Sequence, residues 1–256
     1  MKRLENNVTI VTGGGKGIGY GLAEAFAEAG SNLVITGRTE SRLLAAKEKL
    51  EAAYGVEVLP IVADGADEEA IKSVIAQTVA RFGKINTLVN NAQVSKSGLP
   101  LVDHTKEDFD LAIYSGLYAA FFYMRECHPY LKETHGSVIN FASGAGLFGK
   151  LGQSSYAAAK EGIRGLSRVA AAEWGPDGIR VNVICPLAMT ESLQDWKEHF
   201  PELFEKTIQG IPLGHFADPK DDIGRVAVFL ASEDAHYVTG ETITLQGGSG
   251  LRPLPP

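Results

Sequence analysis

Three side chains in the middle of the chain could together move a proton to or from a substrate oxygen. Tyr156 and Lys160 lie four residues apart in Ser-Ser-Tyr-Ala-Ala-Ala-Lys, which favours a helix and places both side chains on one face. A nearby ammonium stabilises a phenolate, so we expect the pKa of Tyr156 to fall below its usual value of about 10. Ser143 precedes Tyr156 by 13 residues and can hydrogen-bond the same substrate oxygen. The set predicts general acid–base chemistry at a hydroxyl or carbonyl group.

A tyrosine four residues before a lysine is common by chance, so the rest of the chain has to supply the context. A glycine-rich turn at residues 12–19 directly follows a run typical of a strand and opens a run typical of a helix. Backbone amides at a helix start bind a pyrophosphate, and glycine lets it approach closely. With the tyrosine, the turn predicts hydride transfer between a nicotinamide dinucleotide and an alcohol or ketone. An oxidised nicotinamide would also favour the phenolate of Tyr156, so the expected lowering of its pKa counts on the cofactor as well as on the ammonium. The residues expected to contact the dinucleotide in this turn are Gly13, Gly15, Lys16, Gly17, Ile18 and Gly19.

The end of the second predicted strand indicates which dinucleotide binds. An NAD site usually has a carboxylate there, which binds the ribose hydroxyls, but this strand ends in Thr-Gly-Arg at Arg38. Arg38 and Lys16 would instead neutralise a 2′-phosphate. NADP(H) is therefore the expected cofactor rather than NAD(H).

Short apolar runs alternate along the chain with segments of helical periodicity. The runs are rich in Val, Ile and Leu, as expected for parallel strands that are buried on both faces. Repeated strand–helix–strand units predict an α/β fold: a doubly wound (Rossmann) sheet of about seven parallel strands in a single domain, residues 1–256, with the ligand at the carboxyl ends of the strands. The predicted strands are Val8–Thr12, Asn32–Thr36, Val56–Val62, Thr87–Asn90, Ser137–Phe141, Val181–Ile184 and Thr242–Leu245.

Composition disfavours several other classes of protein. The formal net charge of −7 disfavours binding to a nucleic-acid backbone, and no apolar run approaches the roughly 20 residues of a membrane span. Two cysteines, Cys127 and Cys185, are too few for a disulfide scaffold and predict buried thiols in a cytoplasmic protein. The six histidines show no metal-ligand spacing, so no metal site is expected.

Over residues 8–248 the chain resembles the short-chain dehydrogenase/reductase family. The glycine turn, Asn-Asn-Ala at 90–92, and the set Ser143, Tyr156 and Lys160 carry the resemblance. It implies that Tyr156 exchanges the proton, that Ser143 positions the oxygen, and that Lys160 binds the nicotinamide ribose and lowers the tyrosine pKa. It also implies a homodimer or homotetramer with the last strand in the interface. The further cofactor contacts that it implies are Asp64 at the adenine, Asn91, Tyr156, Lys160, Pro186 and Thr190.

Several positions depart from the family pattern. Gly116 stands where the family has a catalytic asparagine on a helix, and we expect activity to survive because the main-chain carbonyl remains. A glycine inside a helix costs about 1 kcal/mol relative to alanine, which indicates close packing or a local backbone need. Gln93 and Leu187 replace glycines and should narrow the space around the nicotinamide. Thr190 lies one position nearer to the preceding proline than the family threonine.

The substrate is expected to contact two segments, a lid at about residues 190–216 and the loop 145–151. Apolar side chains recur at helical spacing in the lid and could close over an apolar ligand, or could only pack on the sheet. Few cations lie in these segments, which suits a bulky neutral or amphiphilic substrate. The residues expected to contact the substrate are Ser143, Gln93, Phe148 and Trp196.

Four segments resemble a narrower group, the bacterial 12α-hydroxysteroid dehydrogenases. They are residues 90–93, 113–118, 141–149 and 185–190. This likeness implies reversible NADP-dependent oxidation of the 12α-hydroxyl of a bile acid to the ketone. Two alternatives stay open. One is a 3-oxoacyl carrier-protein reductase or another carbonyl reductase, although Thr134 and Asp177 stand where the former tend to carry basic residues. The other is a non-catalytic NADP-binding sensor.

The proline-rich end of the chain, residues 251–256, cannot continue a sheet. It is expected either to be disordered or to contact another subunit.

Overall fold

The protein folds around one parallel sheet whose strands match the apolar runs of the sequence. The computed structural model describes residues 2–250, so the proline-rich end at 251–256 lies outside the described residues. The prediction of a seven-stranded parallel sheet is confirmed, with β3 starting two residues later and β6 extended at both ends. The strands are β1 Val8–Thr12, β2 Asn32–Gly37, β3 Val58–Val62, β4 Thr87–Asn90, β5 Ser137–Phe141, β6 Arg180–Pro186 and β7 Thr242–Leu245.

Helices connect the strands and cover both faces of the sheet. Residues 113–118 and 219–224 form π-helical segments, each of which runs directly into the next α-helix. Within residues 2–250, no helix is both long and apolar enough to cross a membrane. The α-helices are α1 Gly17–Glu28, α2 Glu40–Tyr54, α3 Glu68–Phe82, α4 Lys106–Ala112, α5 Ala119–Thr134, α6 Gly144–Phe148, α7 Ser154–Trp174, α8 Glu191–His199, α9 Pro201–Gln209 and α10 Arg225–Ala231.

Successive side chains of the central strands are buried on opposite faces of the sheet. Ile10 lies in a cluster with side chains of α3, α5 and α7, whereas the neighbouring Val11 lies in a cluster with side chains of α1, α2 and α10. Leu88 and Val89 of β4 divide between the same two clusters. Because both faces are buried, the strands appear in the sequence as unbroken apolar runs.

The two cysteines lie inside the fold. Cys127 on α5 and Cys185 on β6 are buried free thiols, which confirms the prediction of buried cysteines. Burial raises the pKa of both thiols, that of Cys185 to about 11, so neither is a ready nucleophile.

The strand order β3-β2-β1-β4-β5-β6-β7 reverses the direction of winding between β1 and β4. These two strands pair in parallel, with Val11 opposite Val89. The loops that leave their carboxyl ends turn toward opposite faces and open a crevice between them, which is where doubly wound sheets bind ligands.

Two asparagines join neighbouring strands in the interior beside this crevice. Asn90 Nδ2 donates to Asn140 Oδ1 at 2.8 Å, and Asn140 Nδ2 donates to Ser167 Oγ of α7 at 2.8 Å. Asn140 is fully buried, so these bonds satisfy both halves of its amide in a place without water. They connect β4, β5 and α7, the elements that carry much of the candidate site.

Replacing Asn140 by leucine should lower the free energy of unfolding by about 2 to 4 kcal/mol, because the buried groups of Asn90 and Ser167 lose a partner. Urea unfolding followed by circular dichroism measures the change. Gln77→Leu removes an exposed amide on α3 and should stay within about 0.5 kcal/mol of wild type. Equal losses in the two variants would contradict a structural role for the buried amide.

Candidate active site

A cleft of about 440 Å³ opens at the carboxyl ends of β1, β2 and β4. Tyr156, Lys160 and Pro186 are not among the residues that line it. The other expected cofactor contacts do line it, namely Gly13, Gly15, Lys16, Gly17, Ile18, Gly19, Arg38, Asp64, Asn91 and Thr190.

The glycine turn reserves space for a diphosphate. A Cβ on Gly19 would lie 2.2 Å from the carbonyl oxygen of Gly13, and the positive φ angles of Gly13 (+72°) and Gly17 (+53°) favour glycine. The helix α1 begins at Gly17, and its N-cap residue Lys16 makes no side-chain capping bond. The first amides of this 12-residue helix border the cleft without a side-chain acceptor, so the turn fits a negatively charged diphosphate.

The end of the cleft that would hold the adenosine carries more positive charge than the sequence predicted. Lys16 and Arg38 line it, and Asp64 lies beyond them after β3. Arg42 and Thr39 line it as well, and the sequence reasoning missed both. Thr39 is the N-cap of α2 and makes no side-chain capping bond. A third cation, only four residues after Arg38, was the signal that could have found Arg42.

The acid–base candidates lie at the end of β5 and on α7. Ser143 is the N-cap of α6, and its Oγ accepts a hydrogen bond from Ala145 N at 3.1 Å. Lys160 Nζ donates to the Phe141 carbonyl oxygen at 2.6 Å and lies 5.6 Å from the centre of the Tyr156 ring. The end of β5 therefore presents the serine and also fixes the lysine close to the phenol.

Burial shifts both titratable groups toward their neutral forms. Desolvation lowers the pKa of Lys160 to about 7 and raises the pKa of Tyr156, against which the nearby Ser143 hydroxyl has a smaller, lowering effect. In the chain by itself the ammonium therefore does not lower the tyrosine pKa, and the lowering expected beside an oxidised nicotinamide stays a prediction. The reason is that burial raises the tyrosine pKa by more than the hydrogen bond with Ser143 lowers it. In addition, a lysine with a pKa of about 7 carries only part of a positive charge near pH 7.

Residues 190–216 leave the sheet as one excursion whose two ends meet. Ala188 pairs with Ala217 in an isolated bridge, and backbone hydrogen bonds at 2.9 and 3.1 Å close the base. The helices α8 and α9 lie between these ends. Thr190 is the N-cap of α8, and its Cγ2 lies 4.0 Å from the position of a Cβ on Gly17, so the excursion begins beside the glycine turn.

The apolar side chains of this lid segment form a cluster of their own. Trp196 packs against Phe204 with ring centroids 5.9 Å apart, and Phe204 packs against Phe216 at 5.4 Å. Phe200 and Leu203 remain about half exposed. Trp196, a predicted substrate contact, thus packs in the interior of the lid, whereas Phe200 and Leu203 leave apolar surface exposed.

The two remaining predicted substrate contacts, Phe148 and Gln93, and the family departure Leu187 lie in three different places. Phe148 is exposed at the end of α6, and a Cβ on Gly250 would lie 2.6 Å from its ring. Leu187 packs with the lid cluster, whereas Gln93 lines the cleft and packs against Gly116. The structure therefore brings together two of the positions that depart from the family pattern.

Comparison with known proteins identifies the family. A family model described as enoyl-(acyl carrier protein) reductase matches residues 13–249. A 12alpha-hydroxysteroid dehydrogenase of a Clostridium species is 60% identical over 259 residues, which cover 99% of this chain and 100% of that protein. The chain belongs to the short-chain dehydrogenase/reductase family.

More distant members of the short-chain dehydrogenase/reductase family agree in length and fold. A 3-oxoacyl-[acyl-carrier-protein] reductase of Thermotoga maritima is 34% identical, with 96% of this chain and 98% of that protein covered. The crystal structure of levodione reductase matches with a TM-score of 0.92 at 33% identity, covering 98% of this chain and 100% of that one. The protein is therefore an oxidoreductase of this family and uses a nicotinamide cofactor.

The buried lysine makes a testable prediction about stability in the absence of cofactor. Because the folded pKa of about 7 lies below that of an unfolded lysine, about 10.5, burial of Lys160 opposes folding fully below pH 7 and progressively less as the pH rises toward 10. Lys160→Met should therefore be more stable than wild type, by a margin that is largest near pH 6 and shrinks with rising pH.

Urea titrations of both proteins between about pH 6 and pH 9.5 measure this margin. Lys49→Met, at an exposed position on α2, is the matched control and should show no such trend. A margin for Lys160→Met that does not change with pH would mean that the folded lysine keeps its ordinary pKa.

Proposed function

We propose that the protein catalyses the reversible NADP(H)-dependent oxidation of the 12α-hydroxyl of a bile acid to the ketone. The observation that carries this proposal is the 60% identity, over 99% of the chain, to a 12alpha-hydroxysteroid dehydrogenase. The Ser143, Tyr156 and Lys160 set supports it, because all three side chains needed for acid–base chemistry are present at the end of β5 and on α7.

These side chains would handle the proton of the reaction. In the oxidative direction the Tyr156 oxygen, in its phenolate form, takes the proton of the substrate hydroxyl while Ser143 holds the substrate oxygen by a hydrogen bond. A bound nicotinamide supplies the hydride acceptor. Lys160 Nζ, which lies 5.6 Å from the centre of the Tyr156 ring, would favour the phenolate when it is charged and would also bind the nicotinamide ribose.

Exposed apolar side chains support a steroid as the substrate. Leu213 at the end of the lid is 68% exposed and Phe148 is 56% exposed. The last described residues run between them, since Leu213 N donates to Gly247 O at 3.0 Å and Gly250 lies against Phe148. A rigid steroid body would cover such surface at a gain of roughly 25 cal/mol per Å².

The proposal is tested by absorbance at 340 nm with NADP⁺ and cholic acid, and in parallel with chenodeoxycholic acid, which lacks only the 12α-hydroxyl. NADPH should form with cholic acid alone, and Tyr156→Phe should abolish its formation, because the phenyl ring carries no proton acceptor. Turnover of both acids would move the reaction to another hydroxyl. Silence on both, with reduction of a 3-oxoacyl thioester, would favour the alternative that the 34% identical carrier-protein reductases represent.

The proposed preference for NADP(H) rests on Lys16, Arg38 and Arg42 around the adenosine end of the cleft. Arg38→Asp should lower kcat/KM with NADP⁺ by about 10²-fold to 10³-fold, because a carboxylate there repels the 2′-phosphate, and should not lower kcat/KM with NAD⁺. Arg168→Asp makes the same change of charge at an exposed position on α7 and should leave the ratio of the two values unchanged. An unchanged ratio in Arg38→Asp would contradict the assignment.

A further inference from the structure

Lys150 lies just beyond the short helix α6, whose N-cap is Ser143. Its backbone N donates to the Ala145 carbonyl oxygen at 3.0 Å, and Ala145 N donates to Ser143 Oγ at 3.1 Å. These two hydrogen bonds and the covalent bonds across Ala145 keep Lys150 N within roughly 10 Å of Ser143 Oγ. The bond from Lys150 also closes the last turn of α6, where Gly149 has a φ of +66°. The backbone of the lysine is therefore fixed at a short distance from the serine.

The surface on both sides of Lys150 is apolar. Phe148, two residues earlier, is more than half exposed, and the following Leu151 is 94% exposed. Gly250 lies against the Phe148 ring and adds no polar side chain. Exposed apolar surface of this kind marks a binding site more often than scattered single residues do. A cation between large apolar side chains suits an amphiphilic ligand with an apolar body and one negative charge.

The charge of Lys150 is available to such a ligand. Within the described residues 2–250, none of the ion pairs involves Lys150, which is exposed. A carboxylate does lie against α6, since a Cβ on Gly146 would be 2.7 Å from Glu161 Oε1. That carboxylate already accepts a hydrogen bond from Arg164 Nη1 through its Oε2, at 2.5 Å.

A second lysine lies on the loop that packs against the segment of Lys150. Gly98 N donates to the Gly152 carbonyl oxygen at 2.7 Å and joins the two. Lys96 precedes Gly98 by two residues, as Lys150 precedes Gly152. Lys96 Nζ lies 3.6 Å from Asp108 Oδ1, so its charge is partly compensated. Of the two lysines beside this contact, Lys150 is the one that forms no ion pair within residues 2–250.

The segments expected to contact the substrate differ in the sign of their charge. Residues 91–100 and 144–153 contain two lysines and no acidic residue, whereas the lid, 190–216, contains five acidic residues and two lysines. An anionic group is therefore attracted toward Lys150 and repelled by the lid. This difference would set the direction in which an amphiphile with one negative end lies in the site.

We propose that Lys150 binds the side-chain carboxylate of the bile acid and makes the site select anionic steroids over neutral ones of the same shape. In a bile acid the 12-hydroxyl and the side chain are carried by neighbouring rings, so the carboxylate lies a short distance from the oxygen that Ser143 would hold. The flexible four-carbon stem of the lysine covers the remaining distance. The inference rests on the proposed function, because it requires the 12-hydroxyl of the steroid at Ser143.

A pair of substrates that differ only in charge tests this role. Cholic acid and its methyl ester carry the same hydroxyls, but the ester is neutral. The measured quantity is the ratio of kcat/KM for cholate to kcat/KM for the ester, at saturating NADP⁺ and about pH 8. In Lys150→Gln this ratio should fall about threefold to fivefold, through a higher KM for cholate, as expected for the loss of one exposed ion pair. In Lys150→Glu it should fall at least about tenfold, because the new carboxylate repels the substrate.

Lys49→Gln is the matched control, because it removes the same charge from an exposed position on α2 and should keep the wild-type ratio. An unchanged ratio in Lys150→Gln would overturn the inference, while continued oxidation of cholate would leave the proposed function in place. An equal fall in Lys49→Gln would also overturn it, because the effect would then come from the net charge. Wild-type protein that oxidises neither compound would refute the proposed function and this inference together.

Ionic strength separates attraction by the charge from an effect of side-chain shape. Between about 0.05 M and 0.5 M NaCl the wild-type ratio should fall toward that of Lys150→Gln, because salt screens an exposed ion pair. The ratio in Lys150→Gln should change much less over the same range. Parallel curves for the two proteins would show that Lys150 does not act through its charge and would contradict the proposal.

Discussion

The candidate site depends on a set of hydrogen bonds between the first and fourth strands at the point where the winding reverses. Thr12 Oγ1 accepts from Asn91 N and from Ala92 N, each at 3.0 Å, and Asn91 Nδ2 donates to the Thr12 carbonyl oxygen at 3.0 Å. These bonds fix the loop after β4 against the start of the glycine turn. Because the same loop continues to Gln93, the hydrogen bonds also join the part of the cleft wall at Gln93 to the glycine turn that would bind the diphosphate. The tight approach of Gly19 to Asn91 Nδ2, 2.7 Å from a would-be Cβ, shows how closely the two loops are fitted.

Burial decides the electrostatics on the other side of the cleft. Lys160 is only 4% exposed, and its pKa falls to about 7 because the charged form is desolvated. The same desolvation raises the pKa of Tyr156. The pKa values of two groups that are both ordinarily near 10 are thus shifted in opposite directions, so the lysine becomes the stronger acid of the two and the tyrosine the weaker. The carbonyl of Phe141 stabilises the lysine in place, so the geometry of the pair is set by β5 as much as by the helix α7.

Local patterns in the sequence predicted what depends on local chemistry. The central strands were found because strands buried on both faces leave short apolar runs. The start of β3 was placed too early because Val56 extends its apolar run, and the start of β6 was placed too late because the polar residue Arg180 also joins the strand. The glycine turn and the Tyr156 and Lys160 spacing were visible for the same reason. Contacts between distant residues were not visible. The amide of Gln93, for example, meets Gly116 only in the folded chain, whereas Arg42 lies four residues after Arg38 and was within reach of a local pattern.

The segment that follows Ser143 begins with the short helix α6 and lies close against polar side chains from two other elements, which explains its glycines. A Cβ on Gly144 would lie 2.3 Å from Gln246 Nε2, and one on Gly146 would lie 2.7 Å from Glu161 Oε1. Glu161 follows Lys160 on α7, and Gln246 follows β7. The segment after Ser143 therefore packs on the helix that carries Tyr156. Substitutions that alter this segment in order to change the substrate would therefore disturb the acid–base groups as well. The excursion at residues 190–216 is joined to the sheet at a base beside Ala188 and Ala217 and again by the hydrogen bond from Leu213 N to the Gly247 carbonyl oxygen. It keeps its own apolar cluster, so its interior is built apart from the helix α7 that carries the acid–base groups.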